Sequence, residues 1–95
     1  MRRRRFDHMV VELSVLLDRF VARYSLWQAV KDAGYDPERW SGAEAERFCT
    51  IELPRWLRHQ GLALPASCLL KLGRTLARFD SARLTPEEHF ARLGD

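Results

Sequence analysis

The chain has 95 residues, of which 46% are hydrophobic, and it carries 16 Lys and Arg against 13 Asp and Glu. This composition is typical of a globular domain and excludes a collagen-like or low-complexity chain. The length allows one domain and excludes separate cofactor and substrate domains.

The positive charge is unevenly distributed along the chain. Residues 1–5 contain four consecutive arginines, and we interpret them as a basic arm that precedes one helical domain over residues 6–95. Within that domain, residues 31–52 hold three bases and six acids, whereas residues 53–83 hold six bases and one acid. The asymmetry indicates an oriented contact with an anionic partner or a self-complementary assembly, although ordinary solvated faces also produce it.

An apolar heptad pattern occupies the first third of the chain. Its spacing predicts one long helix over about residues 8–33, with Asp7 capping its start, Gly34 after its end and Ser25 as the place for a break. The sequence leaves open whether this pattern packs within the chain or against another chain. The pattern consists of Phe6, Val10, Leu13, Leu17, Phe20, Tyr24 and Trp27.

The central part of the chain has clear start and break signals for a helix. Ser41 and Glu44 form an S-x-x-E capping box, and apolar residues at helical spacing extend the helix over about residues 42–60. Pro54 lies inside this range and lacks an amide donor, so we expect a kink or a division near residues 50–54. The divided form would consist of two helices, over residues 42–51 and 54–60.

The remaining apolar spacing is helical as well. It predicts a helix over residues 66–79, in which Gly73 indicates the close approach of another helix, and a short last helix over residues 86–93. We therefore expect an all-α protein, a small single-domain bundle of four to five helices.

The helix over residues 66–79 carries a basic face. Lys71, Arg74 and Arg78 recur with Ser67 and Thr75 on the side opposite the leucines. Such a face suits the phosphates of a nucleic acid or the carboxylates of an acidic protein. The candidate residues for an anionic partner are Arg2, Arg3, Arg4, Arg5, Arg55, Arg58, Lys71, Arg74 and Arg78.

An alternative interpretation is a DNA-binding regulator. The helices over about 54–60 and 66–79, joined by a turn that contains Gly61, loosely match a helix-turn-helix motif. The connection is apolar and long for that motif, and the basic face offers no Asn or Gln that would read adenine.

A protein-interaction surface is the other main expectation. Three tryptophans are many for a core of this size, and Trp is frequent at interface hot spots. Tryptophans covering the edges of the core would explain them equally well. The candidate residues for a protein interface are Phe6, Val10, Leu13, Leu17, Trp27, Trp40 and Trp56.

Catalysis finds little support in the sequence. The glycines are scattered, and Cys49 and Cys68 fall on predicted apolar faces with no metal-ligand spacing. We expect no enzyme activity, cofactor, metal or small-molecule substrate, no membrane partner, and a reducing, cytoplasmic location. The sequence thus predicts a non-catalytic binding subunit or adaptor in a protein or nucleoprotein assembly, with a protein partner or a second copy, and nucleic acid as a further anionic partner.

Overall fold

A computed structural model describes residues 4–79, which form five helices and no strands. The predicted all-α bundle is therefore confirmed. The helices are α1 (Arg5–Leu17), α2 (Arg23–Asp32), α3 (Gly42–Ile51), α4 (Leu53–His59) and α5 (Ala66–Arg78). Arg2, Arg3 and the short helix predicted over residues 86–93 lie outside the described residues.

The prediction of one long helix over residues 8–33 is wrong. The chain leaves α1 at Asp18, which adopts a left-handed conformation with φ 51°. Asp tolerates this conformation better than most residues, and here it ends α1 seven positions before Ser25. Asp7 is not the cap but the third residue of α1, where its carboxylate accepts a hydrogen bond from the Arg4 amide at 3.3 Å.

The central helix is divided, as Pro54 predicts. The Glu44 amide donates to Ser41 Oγ at 3.1 Å and the Ser41 amide donates to Glu44 Oε1 at 2.9 Å, which confirms the capping box at the start of α3. Glu52 separates α3 from α4, and Pro54 is the second residue of α4. At that position a missing amide donor costs little, since the first amides of a helix have no partner within it.

Helices α3 and α5 form the closest pair in the fold. A Cβ added at Gly42 would lie 2.5 Å from the Ala77 carbonyl oxygen, and one added at Gly73 would lie 3.2 Å from Glu46 Cγ. The start of α3 therefore crosses the end of α5, so the two helices run antiparallel. The close approach predicted at Gly73 is confirmed.

The core receives side chains from all five helices. Trp40 packs edge-on against Phe48, with ring centroids 5.6 Å apart, and the Trp56 indole donates to Ser25 Oγ at 3.1 Å, which joins α4 to α2. Within residues 4–79, no helix has the length and apolar character needed to cross a bilayer. The buried apolar side chains are those of Phe6, Met9, Leu13, Leu26, Val30, Trp40, Ala45, Phe48, Cys49, Leu53, Trp56, Leu57, Leu69, Leu72 and Leu76.

Candidate anion-binding face

The basic face of α5 is exposed along its length. Lys71, Arg74 and Arg78 lie on the side of the helix opposite the buried Leu72 and Leu76. Their spacing of three and four residues places the three cations within about 11 Å along the helix axis. The hydroxyl of Thr75 on this face donates to the Lys71 carbonyl oxygen at 2.9 Å.

Within the described part of the chain, the cations on this face form no ion pair. Residues 4–79 contain ion pairs between Arg4 and Glu38, His8 and Glu12, and Arg23 and Asp7, and none of them involves the cations of α5. α5 itself contains no Asp or Glu. Three positive charges so close together create a positive potential that attracts anionic groups in solution.

A groove of about 500 Å³ lies between α1 and α5, and we call it the α1–α5 groove. Leu16 and Leu72 give it apolar walls, while Lys71, Arg74 and Arg78 line it on the α5 side. Glu12 supplies a carboxylate from α1. The groove thus combines apolar surface with the cations of the basic face.

Val11 and Val15 lie one turn apart on the outward side of α1, whereas Leu16 lies on the side of α1 that lines the groove. Val15 retains 71% of its accessible surface, and Val11 and Leu16 each retain 41%. Exposed apolar side chains that lie together on one surface are typical of interaction sites.

Arg55 and Arg58, though also exposed, do not line the α1–α5 groove. Arg55 lines a different groove, of about 530 Å³, beside α2, where Asp32 and Glu52 are nearby. Arg58 borders a small apolar hollow formed with the loop that follows α4. The cations predicted as one site are therefore distributed over separate surfaces.

The two described arginines of the predicted arm contact the domain itself. Arg4 is exposed and pairs with Glu38 at 2.8 Å. Arg5, the last residue of the predicted basic arm, is the first residue of α1. Its guanidinium donates to the carbonyl oxygens of Leu76 (2.9 Å), Trp40 and Phe79. A planar cation with several donors suits the last carbonyls of a helix, which lack their usual partners within the helix, and this explains the contact with the end of α5.

Most residues predicted for a protein interface belong to the core. Phe6, Leu13, Trp40 and Trp56 are buried within the chain, and their role at a protein interface stays a prediction. A domain of this length buries its largest apolar side chains to offset the entropy of folding, which leaves few of them for partners. The other three, Val10, Leu17 and Trp27, are half-buried and pack against the core.

The exposed apolar residues are largely different ones. Phe20 and Tyr24 belong to the heptad pattern, but α1 ends before both of them and their side chains remain exposed. The side chain of Phe20 is fully exposed. Val15 and Leu16 were absent from the predicted interface. In the sequence, Val15 lies between apolar residues of the heptad pattern, but its side chain projects from the opposite side of the helix. That position could have identified it as an exposed apolar residue.

Within residues 4–79, the two cysteines neither pair with each other nor belong to a cluster of metal-ligating side chains. Burial, with a smaller effect of the nearby Glu46 carboxylate, raises the pKa of the Cys49 thiol to about 12, so this thiol is protonated at neutral pH. Within residues 4–79, no three His, Cys, Asp or Glu side chains are placed to hold a metal ion. Cys49 and Cys68 are both unpaired.

The packing of α5 also bears on the helix-turn-helix alternative. α5 packs chiefly against α3, with a smaller contact to α1, whereas the motif would have α4 and α5 as its packed pair. The arrangement therefore gives that alternative no support.

Comparisons with protein-family models, with curated proteins and with solved structures find no match to this chain.

Proposed function

We propose that this protein is a non-catalytic binding subunit or adaptor that holds an anionic macromolecule against the basic face of α5. The observation that carries the proposal is the exposure of Lys71, Arg74 and Arg78 on one side of α5, with no carboxylate paired to them among residues 4–79. Such cations attract an anionic partner over several ångströms and fix its orientation when it docks.

The protein-contact part of the proposal is supported by the exposed apolar residues. Val15 and Phe20 project apolar surface that the described fold leaves uncovered. A partner or a second copy would remove this surface from water, which contributes about 25 cal/mol for each Å² buried. The unpaired state of both cysteines fits a reducing compartment such as the cytoplasm.

Charge reversal tests the anionic contact directly. Replacing Lys71→Glu, Arg74→Glu and Arg78→Glu together should weaken binding to heparin, and to duplex DNA if the protein binds it, by more than tenfold at low salt. The slope of log affinity against log salt should become shallower, because each cation that contacts a phosphate or sulfate contributes to it. Thermal unfolding should stay cooperative, since all three side chains are exposed.

A matched control separates a specific face from net charge. Arg19→Glu, Arg39→Glu and Arg47→Glu change the net charge by the same amount at exposed positions outside α5. We expect this variant to keep most of the heparin affinity. Equal losses in both triple variants, or no binding by the unaltered protein, would contradict the proposal.

Native mass tests the apolar contact. Mass measured by light scattering should exceed the 11.1 kDa of one chain, or a partner protein should co-purify in a fixed ratio. A monomer at all concentrations with no partner would leave the exposed Val15 and Phe20 without the proposed role.

A further inference from the structure

We infer that the basic face of α5 binds the sugar-phosphate backbone of a double-stranded nucleic acid, without reading its base sequence. This inference rests on the proposed function, because it names the class of anionic macromolecule that the basic face would hold.

The basic face is a continuous polar row along one side of α5. Its side chains recur at three- and four-residue spacing and are all exposed: Ser67, Lys71, Arg74, Thr75 and Arg78. No Asp or Glu of α5 interrupts the row. The hydroxyl proton of Thr75 is donated to the Lys71 carbonyl oxygen, which leaves Ser67 and the three cations as donors for a ligand. Ser, Lys and Arg are among the residue types that donate to phosphate oxygens in nucleic-acid complexes.

The charge spacing of a duplex fits this row in any register. Lys71, Arg74 and Arg78 lie within about 11 Å along the helix axis. A duplex carries one phosphate charge for about every 1.7 Å of its axis, counted over both strands, so a duplex along the row places about six charges in that length. Each long, flexible cation therefore meets a phosphate without a fixed alignment. Contacts of this kind supply affinity and carry no information about the bases.

The basic face lacks the side chains that read adenine or hold single strands. α5 contains no Asn or Gln, the residues that pair with adenine in the major groove. Among the described residues, neither α5 nor the lining of the α1–α5 groove includes an aromatic ring on which an unpaired base could stack. These residues therefore fit the backbone of a duplex better than they fit bases or a single strand.

The surroundings of the row favour a nucleic acid over an acidic protein. Protein interfaces depend on a few large anchors buried at their centre. Leu16 and Leu70 are the large apolar side chains exposed beside the row in the described structure, at 41% and 46%. Leu70 lies about 80° around the helix from the middle of the row, and Leu16 shares the α1 side of the groove with Glu12. Neither lies among the cations, so neither can anchor a protein centred on them.

Glu12 determines on which side of the row the backbone would pass. This carboxylate lines the α1–α5 groove from α1, with its Oε1 3.7 Å from His8 Nε2. It repels phosphates, so the backbone would lie over α5 and not deep in the groove. Removal of the charge by Glu12→Gln should tighten duplex binding by about two- to fivefold at low salt.

The test measures binding of the whole chain to a DNA duplex of about 20 base pairs, which is two helical turns. Lys71→Gln, Arg74→Gln and Arg78→Gln, made singly, should each reduce the slope of log affinity against log salt by about 0.9. Arg39→Gln, at an exposed position outside α5, is the control and should leave the slope unchanged. Leu70→Ser should change the duplex affinity by less than twofold, because Leu70 lies beside the row and not on it.

Other ligands then define what the basic face recognises. An AT-rich and a GC-rich duplex should bind with affinities that differ by less than threefold. Poly-glutamate, which represents an acidic protein, should bind more weakly than the duplex because an extended chain spaces its charges by about 3.4 Å. A single strand of the same sequence should also bind more weakly, since its charges are farther apart and no aromatic side chain holds its bases.

Several results would overturn the inference and still leave the proposed function open to its own test. They are unchanged salt slopes in all three α5 variants, a larger difference between the two duplexes, and equal or tighter binding of the single strand. Equal or tighter binding of poly-glutamate would assign the basic face to an acidic protein. Heparin binding without duplex binding would reject the nucleic acid alone. Heparin binding by the unaltered protein and its loss in the triple α5 variant decide the proposed function separately.

Discussion

Arg5 lies where the start of α1 meets the end of α5, and its guanidinium donates to carbonyl oxygens of Trp40, Leu76 and Phe79. The last carbonyls of α5 have no partner within the helix, and the negative end of the helix dipole adds to the attraction. One side chain therefore satisfies acceptors from two separate parts of the chain.

Arg5→Ala should lower the free energy of unfolding by about 2–4 kcal/mol, because hydrogen bonds from a charged donor to partly buried acceptors are lost. Urea denaturation would measure the change. Arg4→Ala is the matched control, since its ion pair with Glu38 is exposed, and it should cost less than about 1 kcal/mol. Equal effects of the two substitutions would contradict the assigned role of Arg5.

Cys49 couples the stability of the fold to alkaline pH. Burial raises the pKa of its thiol from 9.0 to about 12, so the folded state holds this proton more tightly than the unfolded state. The stabilising effect is complete below pH 9 and is lost as the pH rises toward 12.

Cys49→Ala should therefore make the decline in the free energy of unfolding less steep above pH 9, by about 1 kcal/mol per pH unit. The stability of this variant at neutral pH will also change because a buried side chain is shortened. The informative quantity is therefore the slope of the free energy of unfolding against pH. Cys68→Ala, at a half-buried position, is the control and should leave the slope as it is. Identical slopes for all three proteins would refute the coupling.

The sequence identifies the arginines of the N-terminus but not their separate roles. Arg2 to Arg5 are identical neighbours, and only the tertiary position of α5 decides that Arg5 meets its carbonyls while Arg4 meets Glu38. These contacts join residues that lie between 34 and 74 positions apart in the sequence. Local pattern contains no information about them.

At the scale of the elements, the α3–α5 contact depends on two glycines that differ in what surrounds them. At Gly42 a Cβ would press on main-chain atoms of Ala77, with 2.5 Å to its oxygen and 2.9 Å to its Cα. At Gly73 the nearest atom is Glu46 Cγ, at 3.2 Å, which belongs to a flexible side chain.

Gly42→Ala should destabilise the protein by about 1–3 kcal/mol, because one of the two helices must shift. Gly73→Ala should be nearly neutral, since the gain of about 1 kcal/mol in helix propensity offsets the tighter contact with Glu46. Thermal or urea unfolding of both variants would test this order. A Gly73→Ala variant that is the less stable of the two would show that the helices approach differently.

The elements divide clearly into those that local sequence determines and those that it does not. The capping box at Ser41, the division near Pro54 and the end of α2 before Gly34 follow from side chains adjacent to each boundary. The break at Asp18 does not, because the apolar heptad pattern continues through it without a Gly or Pro. At Asp18, tertiary packing rather than the apolar heptad pattern determines where the helix ends.

At the scale of the whole molecule, the charge imbalance of residues 53–83 predicts a basic surface but not its extent. The exposure of Lys71, Arg74 and Arg78 follows from their position opposite the leucines of α5. That Arg55 and Arg58 line other surfaces depends on how α4 packs, which helical spacing does not specify. The tryptophans likewise show that the sequence pattern does not specify how a residue packs. Their apolar character alone does not distinguish a core residue from an interface residue.

Binding at the basic face should stabilise the whole fold. A ligand that binds only the folded state at a hundred times its dissociation constant adds about 2.7 kcal/mol, which for a domain of this size corresponds to about 10–20 °C in Tm. We expect heparin to raise the Tm of the unaltered protein. The variant with Lys71→Glu, Arg74→Glu and Arg78→Glu should show little or no rise. A Tm that heparin leaves unchanged in the unaltered protein would count against a site on the folded domain.

The contact of Arg5 with Phe79 has a topological consequence. The first residue of α1 contacts the residue that follows α5. The chain therefore enters and leaves the unit of five helices at the same place. Units with neighbouring ends tolerate insertion into a loop of a host protein and circular permutation. Joining positions 5 and 79 by a short Gly-Ser bridge and opening the chain in the loop between α4 and α5 should yield a cyclically rearranged protein with the same helices.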